Sequence, residues 1–125
     1  MDDIEENSEN MSSLNTQLFK AVSEGDIVRC KYLLDHGADV NARKNTMKTT
    51  PLHIASVYGF IDICKLLLEY GADMNINNIH NETPLKLATY YRNKDIVELF
   101  AESEMFTRVF TRRQDLFALM MDTDD

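Results

Sequence analysis

Histidine and cysteine offer the widest range of chemistry in this chain, because both can bind metals and both can act in catalysis. Cys30 and Cys64 stand 34 positions apart, and His36 and His80 fall at a predicted helix end and a predicted loop tip. The two histidines have no cysteine or carboxylate at the spacing typical of a zinc site. The sequence therefore predicts neither a metal site nor a cofactor.

Carboxylates could perform acid–base catalysis if the fold placed two of them in opposed environments. Asp62, Glu69, Asp95 and Glu98 instead lie near predicted helix starts or on outward faces, where a carboxylate favours the helix dipole or faces water. The four glycines all fall in predicted turns, so the chain has neither a phosphate-binding glycine loop nor a nucleophile elbow. These patterns indicate a protein that is not an enzyme, and no small-molecule substrate is expected.

Two parts of the chain repeat each other. The segment 33–41 (LLDHGADVN) recurs at 67–75 as LLEYGADMN, and TPLH at 50–53 is echoed by TPLK at 83–86. The offsets of 34 and 33 residues lie in the range typical of stacked-repeat proteins. Such a stack buries its core between neighbouring repeats and leaves a long surface free, so the pattern favours a binding protein.

These motifs resemble the ankyrin repeat, whose unit has a helix opened by Thr-Pro-Leu-His, a glycine turn, a second helix ending Leu-Leu, and Gly-Ala-Asp-Val-Asn. The resemblance covers roughly 90 residues of the chain. It implies an all-α ankyrin solenoid of three helix-turn-helix repeats, at about 14–44, 45–77 and 78–102, in a repeat domain at 13–102. It also implies that His53 links neighbouring turns by hydrogen bonds, and that the protein binds a protein partner without catalysis.

The helix starts and turns of these repeats have a stereochemical basis. Thr50 and Thr83 are placed to cap the first helices, and Pro51 and Pro84 sit in the first turn, where a missing N–H costs nothing. Gly59 permits a left-handed turn between the two helices of the middle repeat. The sequence therefore predicts a new helix at each Thr-Pro pair.

Three departures from the repeat pattern fall in turns. Asn81 and Arg92 each stand where the family has glycine, and one extra residue lies within 45–48. Asparagine tolerates a positive φ, whereas a bulky residue adopts it at a cost. We therefore expect the third repeat to be the least stable and the middle repeat the most stable.

Apolar residues at spacings of three and four give each second helix one buried face. Leu33, Leu34, Ile63 and Leu67 belong to this face, and Tyr32 of the first repeat is also assigned to the core. The matching positions of the two cysteines in successive repeats place their thiols too far apart for a disulfide. Reduced cysteines predict an intracellular, cytoplasmic or nuclear, protein.

The net charge of −8 comes from the two ends of the chain. Eight of the 21 acids lie in residues 1–10 and 122–125, which leaves 13 acids against 13 Lys plus Arg. The segment 1–12 is predicted to be a disordered acidic tail. The neutral body predicts no nucleic-acid partner. The absence of a signal peptide and of an apolar run of roughly 20 residues predicts no membrane association.

The family pattern ends near residue 102, and the segment 103–125 is apolar with an acidic end. One interpretation is a helix that caps the last repeat, because the end of a stack exposes an apolar face. The other is a helix that recruits a second partner through its Phe and Met residues. In that case the chain would be a regulatory inhibitor or a targeting adaptor, as some small ankyrin proteins of viruses and bacteria are.

The family resemblance also implies where a partner binds. Contacts come mostly from the loop tips and from positions near the ends of the helices, and four of the five tyrosines fall on such positions. Tyrosine gives a large contact area at low entropic cost. The predicted partner-binding residues are Met47, Val57, Tyr58, Tyr70, Ile79, His80, Tyr90 and Tyr91.

The resemblance further implies a modification site. In the family, the asparagine that ends the Gly-Ala-Asp-Val-Asn turn is a substrate for an asparagine hydroxylase when a leucine lies eight residues earlier. Asn41 follows Leu33 and Asn75 follows Leu67 at this offset. Both asparagines are therefore predicted hydroxylation sites, although each is also expected to form hydrogen bonds within the turn.

Overall fold

The structure, a computed structural model, describes residues 3–105, with side-chain surroundings from residue 13 onward. A sixth helix, α6, begins at residue 94 and includes residue 105, the last one described. This range contains no β-strand, only an isolated antiparallel bridge between Lys44 and Thr49, so the predicted all-α fold is confirmed. The other five helices are α1 (Asp3–Glu24), α2 (Ile27–Asp35), α3 (Pro51–Tyr58), α4 (Ile61–Glu69) and α5 (Pro84–Tyr90).

The first helices of the repeats begin where the Thr-Pro pairs predict. Thr50 Oγ1 accepts a hydrogen bond from the backbone nitrogen of His53 at 3.3 Å, and Thr83 Oγ1 accepts one from that of Lys86 at 3.2 Å. These bonds satisfy amide groups that have no partner within the helix. Asp26 caps α2 in the same way, through a 3.1 Å bond from the backbone nitrogen of Arg29.

Each repeat makes a left-handed turn between its two helices. Gly25 and Gly59 have φ values of 72° and 78°, and Arg92 adopts 61° at the same place in the third repeat. A side chain on Gly59 would also crowd the next repeat, because an added Cβ would lie 3.0 Å from Asn93 Oδ1. The amide of Asn93 donates to the carbonyl oxygen of Ser56 at 2.6 Å and so ties the third repeat to this turn.

The helices form two layers with the core between them. In the first layer α3 packs between α1 and α5, and in the second α2 packs on α4. Residue 96 and residue 100 of α6 complete the core of the third repeat. The largest fully buried apolar side chains are Leu18, Val22, Leu33, Leu52, Leu67 and Ile96.

Tyr32 does not belong to this core, contrary to the sequence prediction. Its side chain is 55% exposed and stacks on the ring of His36, with ring centroids 4.0 Å apart. The buried face of α2 is formed by Cys30, Leu33 and Leu34. Tyr32 lies between these positions in sequence but on the outer flank of the helix.

Two hairpin-like loops project beside the first layer. Lys44 donates its backbone N–H to Thr49 at 2.7 Å and closes the first loop, in which Asn45 and Lys48 have φ values of 49° and 57°. These two left-handed residues accommodate the extra residue of this segment. The second loop, 78–82, is closed by a 3.0 Å backbone bond from Asn78 to Glu82.

The N-terminal segment of the chain is helical where it is described. Residues 3–12 belong to α1, whereas a disordered tail was expected at 1–12. Acidic residues in the first turns of a helix stabilise it through the helix dipole, an effect that composition alone does not capture. The predicted cap at 103–125 lies outside the described residues, apart from 103–105. Within residues 3–105, no helix is both long and apolar enough to cross a bilayer.

Candidate functional site

A groove runs along the first helices beside the hairpin-like loops. One cavity of about 370 Å³ lies between α3, α5 and the loop 44–49. It brings together three of the predicted binding residues, Met47, Val57 and Tyr58. The cavity is lined by Ser23, Lys44, Asn45, Met47, Thr49, His53, Ile54, Val57, Tyr58, Asn78 and Leu87.

A second cavity extends this groove toward the N-terminal end of the stack. It has a volume of about 740 Å³ and lies between α1 and the segment 39–45. Ser23, Lys44 and Asn45 line both cavities, so the two lie side by side. We call the pair of cavities the concave groove.

Hydrogen bonds between the loops give the concave groove a fixed outer wall. The backbone nitrogen of Ile79 donates to the carbonyl oxygen of Met47 at 3.0 Å, which joins the second loop to the first. Asn78 Oδ1 accepts from the backbone nitrogens of His80 and Glu82, at 2.9 and 3.0 Å. Ile79 and His80 are exposed at the tip of the second loop, next to the groove but not in its lining.

Exposed tyrosines follow the ends of the first helices. Tyr58 is 58% exposed and stacks on Phe60 with ring centroids 5.6 Å apart. Tyr90 and Tyr91, 77% and 51% exposed, meet edge to face one repeat further on. Large exposed aromatic rings are typical of protein-binding surfaces. These three tyrosines therefore extend the apolar surface beyond the groove.

Tyr70 is not part of this surface. It ends α4 in the second layer, where its hydroxyl donates to the carboxylate of Asp35 and lies 3.3 Å from Lys31 Nζ. Lys31 also forms an ion pair with Asp35 at 3.2 Å. The hydrogen bond from Tyr70, followed by that from Lys31, lowers the pKa of Asp35. This cluster links the second helices of two repeats.

Two residues of the groove, Ile54 and Leu87, were not predicted as binding residues. Each comes directly after a Thr-Pro-Leu-His or Thr-Pro-Leu-Lys motif, and the two are 33 residues apart. In the sequence they therefore look like residues that build the repeat. Each is only partly buried and lines the cavity. Lys44, which lines both cavities, was also missed. The one feature of the sequence that could have indicated Lys44 is its position beside the extra residue of the loop.

The described residues offer little for metal or nucleophilic chemistry. No group of three or more His, Cys, Asp or Glu residues between 3 and 105 is arranged to hold a metal ion. Cys30 and Cys64 are free and buried. Burial raises the pKa of Cys30 to about 11 and that of Cys64 to about 12, so both thiols stay protonated at neutral pH.

The two predicted hydroxylation sites differ in their contacts. The carboxamide of Asn41 bridges to the next repeat, because Oδ1 accepts from the backbone nitrogen of Asp73 at 2.8 Å and Nδ2 donates to Gly71 at 3.3 Å. Asn75 is exposed, and its carboxamide has no hydrogen bond to a residue that the structure describes. Hydroxylation of either site stays a prediction.

Comparison with known proteins agrees with this architecture. A family profile described as ankyrin repeats in three copies matches residues 3–78, and one described as ankyrin repeats in many copies matches residues 57–101. The chain is also 51% identical over 41 residues to the 2-5A-dependent ribonuclease of Mus musculus. That match covers 33% of this chain but only 6% of the mouse protein. The ribonuclease activity is therefore a property of the mouse protein and is not assigned to this chain.

Ankyrin repeats are protein-interaction modules, and the family is generally non-catalytic. The first of the two profiles covers more than half of the 125 residues. On this basis the chain belongs to the ankyrin repeat family.

Proposed function

We propose that this chain is a non-catalytic module that binds a protein partner through the concave groove and the neighbouring tyrosines. The observation that carries the proposal is the cavity in which Met47, Val57 and Tyr58 meet Ile54 and Leu87. Five apolar side chains from three elements surround one space of about 370 Å³, which fits a bulky side chain of a partner.

The polar groups of the groove support binding of a peptide rather than catalysis. Asn45 and Thr49 line the groove, where they can hydrogen-bond a partner's backbone, whereas the carboxamide of Asn78 is already bonded to His80 and Glu82. The buried imidazole of His53 is occupied by Thr50 and Glu82. We therefore assign the groove a binding role, and we propose that the protein acts inside the cell, where its free cysteines stay reduced.

A capture experiment tests this function. The tagged full chain retains proteins from a cell lysate, which mass spectrometry identifies, and retention is then compared among variants. Tyr58→Ala should weaken retention by roughly tenfold or more, because truncation of a central anchor costs about 2 kcal/mol. Val57→Arg should weaken it at least as much, because it puts a long charged side chain into the apolar cavity.

Tyr32→Ala is the matched control. Tyr32 and Tyr58 are nearly equally exposed, at 55% and 58%, but Tyr32 lies on the opposite layer of the stack. The Tyr32→Ala variant should therefore retain the partner as well as the wild type does. Equal retention by all three variants, each shown to be folded by circular dichroism, would place binding elsewhere on the protein.

A further inference from the structure

The concave groove has a charge of its own that the neutral composition of the repeat body conceals. We call its smaller cavity, of about 370 Å³, the inner cavity and its larger one, of about 740 Å³, the outer cavity. Lys44 is the one residue with a full charge in the lining of the inner cavity. The outer cavity adds Lys20 and Arg43, against Glu24 and Asp39. These four charges cancel, so the net positive charge of the groove is that of Lys44, at the junction of the two cavities.

Lys44 is positioned at this junction from both sides. Its backbone closes the loop 44–49, and its Nζ lies 5.9 Å from the centre of the Phe19 ring, a distance at which a cation is attracted by the aromatic face. Lys44 forms no ion pair with any residue between 13 and 105. The ammonium group is therefore held at the groove without a neutralising carboxylate.

The acids around Lys44 are few, and one of them is already engaged. Asp39 Oδ1 accepts a hydrogen bond from the backbone nitrogen of Asn41 at 2.9 Å, within its own turn. Glu24, the last residue of α1, lines the outer cavity and forms no ion pair with Lys44. His53 adds no charge, because burial keeps its imidazole neutral near pH 7.

The acidic helix α6 lies outside the groove. Residues 94–105 of α6 contain Lys94 and four acids, at 95, 98, 102 and 104. None of these acids lines either cavity of the concave groove. Lys44 is therefore the cation next to the apolar cavity, and the carboxylates of α6 lie outside the groove.

We propose that the groove takes an acidic peptide segment of the partner that carries one bulky apolar side chain. This inference rests on the proposed function. The apolar side chain enters the cavity formed by Met47, Ile54, Val57 and Leu87, and a carboxylate next to it in the peptide pairs with Lys44.

A random-peptide display library, selected on the immobilised full chain, tests the proposal. Peptides that combine Asp or Glu with Leu, Ile, Phe or Met should be enriched, and added salt should weaken their binding. Lys44→Glu should lower the affinity of the enriched peptides about tenfold, because an attractive pair becomes a repulsive one.

Lys65→Glu is the matched control. It makes the same change in net charge at an exposed site on α4, outside the groove, and should leave the affinity unchanged. If neutral or basic peptides are enriched, or if acidic peptides bind Lys44→Glu as well as the wild type, the acidic specificity is wrong. If the enriched peptides then fail to bind the Val57→Arg variant, the groove is still supported as the binding site.

Two other outcomes would overturn more than the charge preference. Enriched peptides that bind Val57→Arg normally do not use the groove, which removes the proposed function as well. If no peptide is enriched and the chain self-associates in sedimentation, with Lys44→Glu remaining monomeric, the occupant is an acidic segment of a second copy rather than a separate partner.

Discussion

His53 Nε2 lies 2.8 Å from the carbonyl oxygen of Glu82, so the imidazole of the middle repeat binds the turn that opens the third. Its Nδ1 accepts from the backbone nitrogen of Thr50 at 3.2 Å and lies 2.8 Å from Thr50 Oγ1. Because Nδ1 is an acceptor, the proton of the neutral ring is on Nε2 and is donated to Glu82. A second proton would remove the acceptor that Thr50 requires.

This geometry predicts that the protein loses stability in mild acid. Burial lowers the pKa of His53 below its ordinary value of 6.5, and Arg43 acts in the same direction, whereas Glu82 opposes it. The unfolded chain therefore binds a proton at higher pH than the folded chain does. The stability due to neutral His53 is fully present above about pH 6.5 and is lost progressively as the pH falls toward the folded-state pKa.

Urea denaturation at about pH 7.5 and about pH 5.5 measures this effect. The wild type and His80→Gln, in which an exposed histidine is removed, should both lose stability at the lower pH. His53→Gln should lose less between the two pH values, although it is less stable at both. An equal pH dependence in all three proteins would contradict the assignment to His53.

The turns between helices predict opposite effects of two substitutions. Arg92 has a φ of 61° and is exposed, so Arg92→Gly should raise the free energy of unfolding by about 1 kcal/mol. Gly59→Ala should lower it by at least as much, because its Cβ would also press on Asn93 at 3.0 Å. Asn81→Gly should change it less than Arg92→Gly does, since asparagine tolerates positive φ. Urea denaturation of the three variants ranks them.

The features that were predictable from the sequence depend on the stereochemistry of single residues. A threonine before a proline caps a helix, and a glycine permits a left-handed turn, wherever the chain places them. Tyr32 was wrongly assigned to the core, and the contact of Tyr70 with Asp35 was not foreseen, because the surroundings of both depend on how α2 packs against α4. The groove needs three separate elements, so Met47, Val57 and Tyr58 could be proposed from the sequence, but their meeting with Leu87 could not.

The contact between Tyr70 and Asp35 predicts that Tyr70 acts in stability rather than in partner binding. Tyr70→Phe removes the hydroxyl that Asp35 accepts from, so it should lower the melting temperature while partner capture stays at the wild-type level. Tyr58→Ala should do the reverse, because Tyr58 is exposed beside the groove. Capture that falls with Tyr70→Phe in the folded protein would return Tyr70 to the binding surface.

The hydrogen bonds of Asn41 predict that hydroxylation, if an asparagine hydroxylase acts on this chain, favours Asn75. Modification of Asn41 requires release of its bonds to Gly71 and Asp73, whereas the carboxamide of Asn75 makes no such bond within the described residues. Peptide mass spectrometry after incubation with the enzyme should show added oxygen on Asn75 first. Asn75→Ala, as a control, should show little, and earlier oxidation of Asn41 would contradict the order.

Apolar surface at the end of the third repeat leads us to predict that residues 103–125 act as a cap. Leu85 is 38% exposed and Val97 is only partly buried, so apolar surface remains at the last described helices. Covering such surface stabilises by about 25 cal/mol per Å². A chain truncated after Glu102 should therefore melt at a lower temperature, whereas removal of only 122–125 should have little effect. If the truncated chain keeps its melting temperature but loses a captured protein, the segment recruits a second partner, and the adaptor hypothesis replaces the cap.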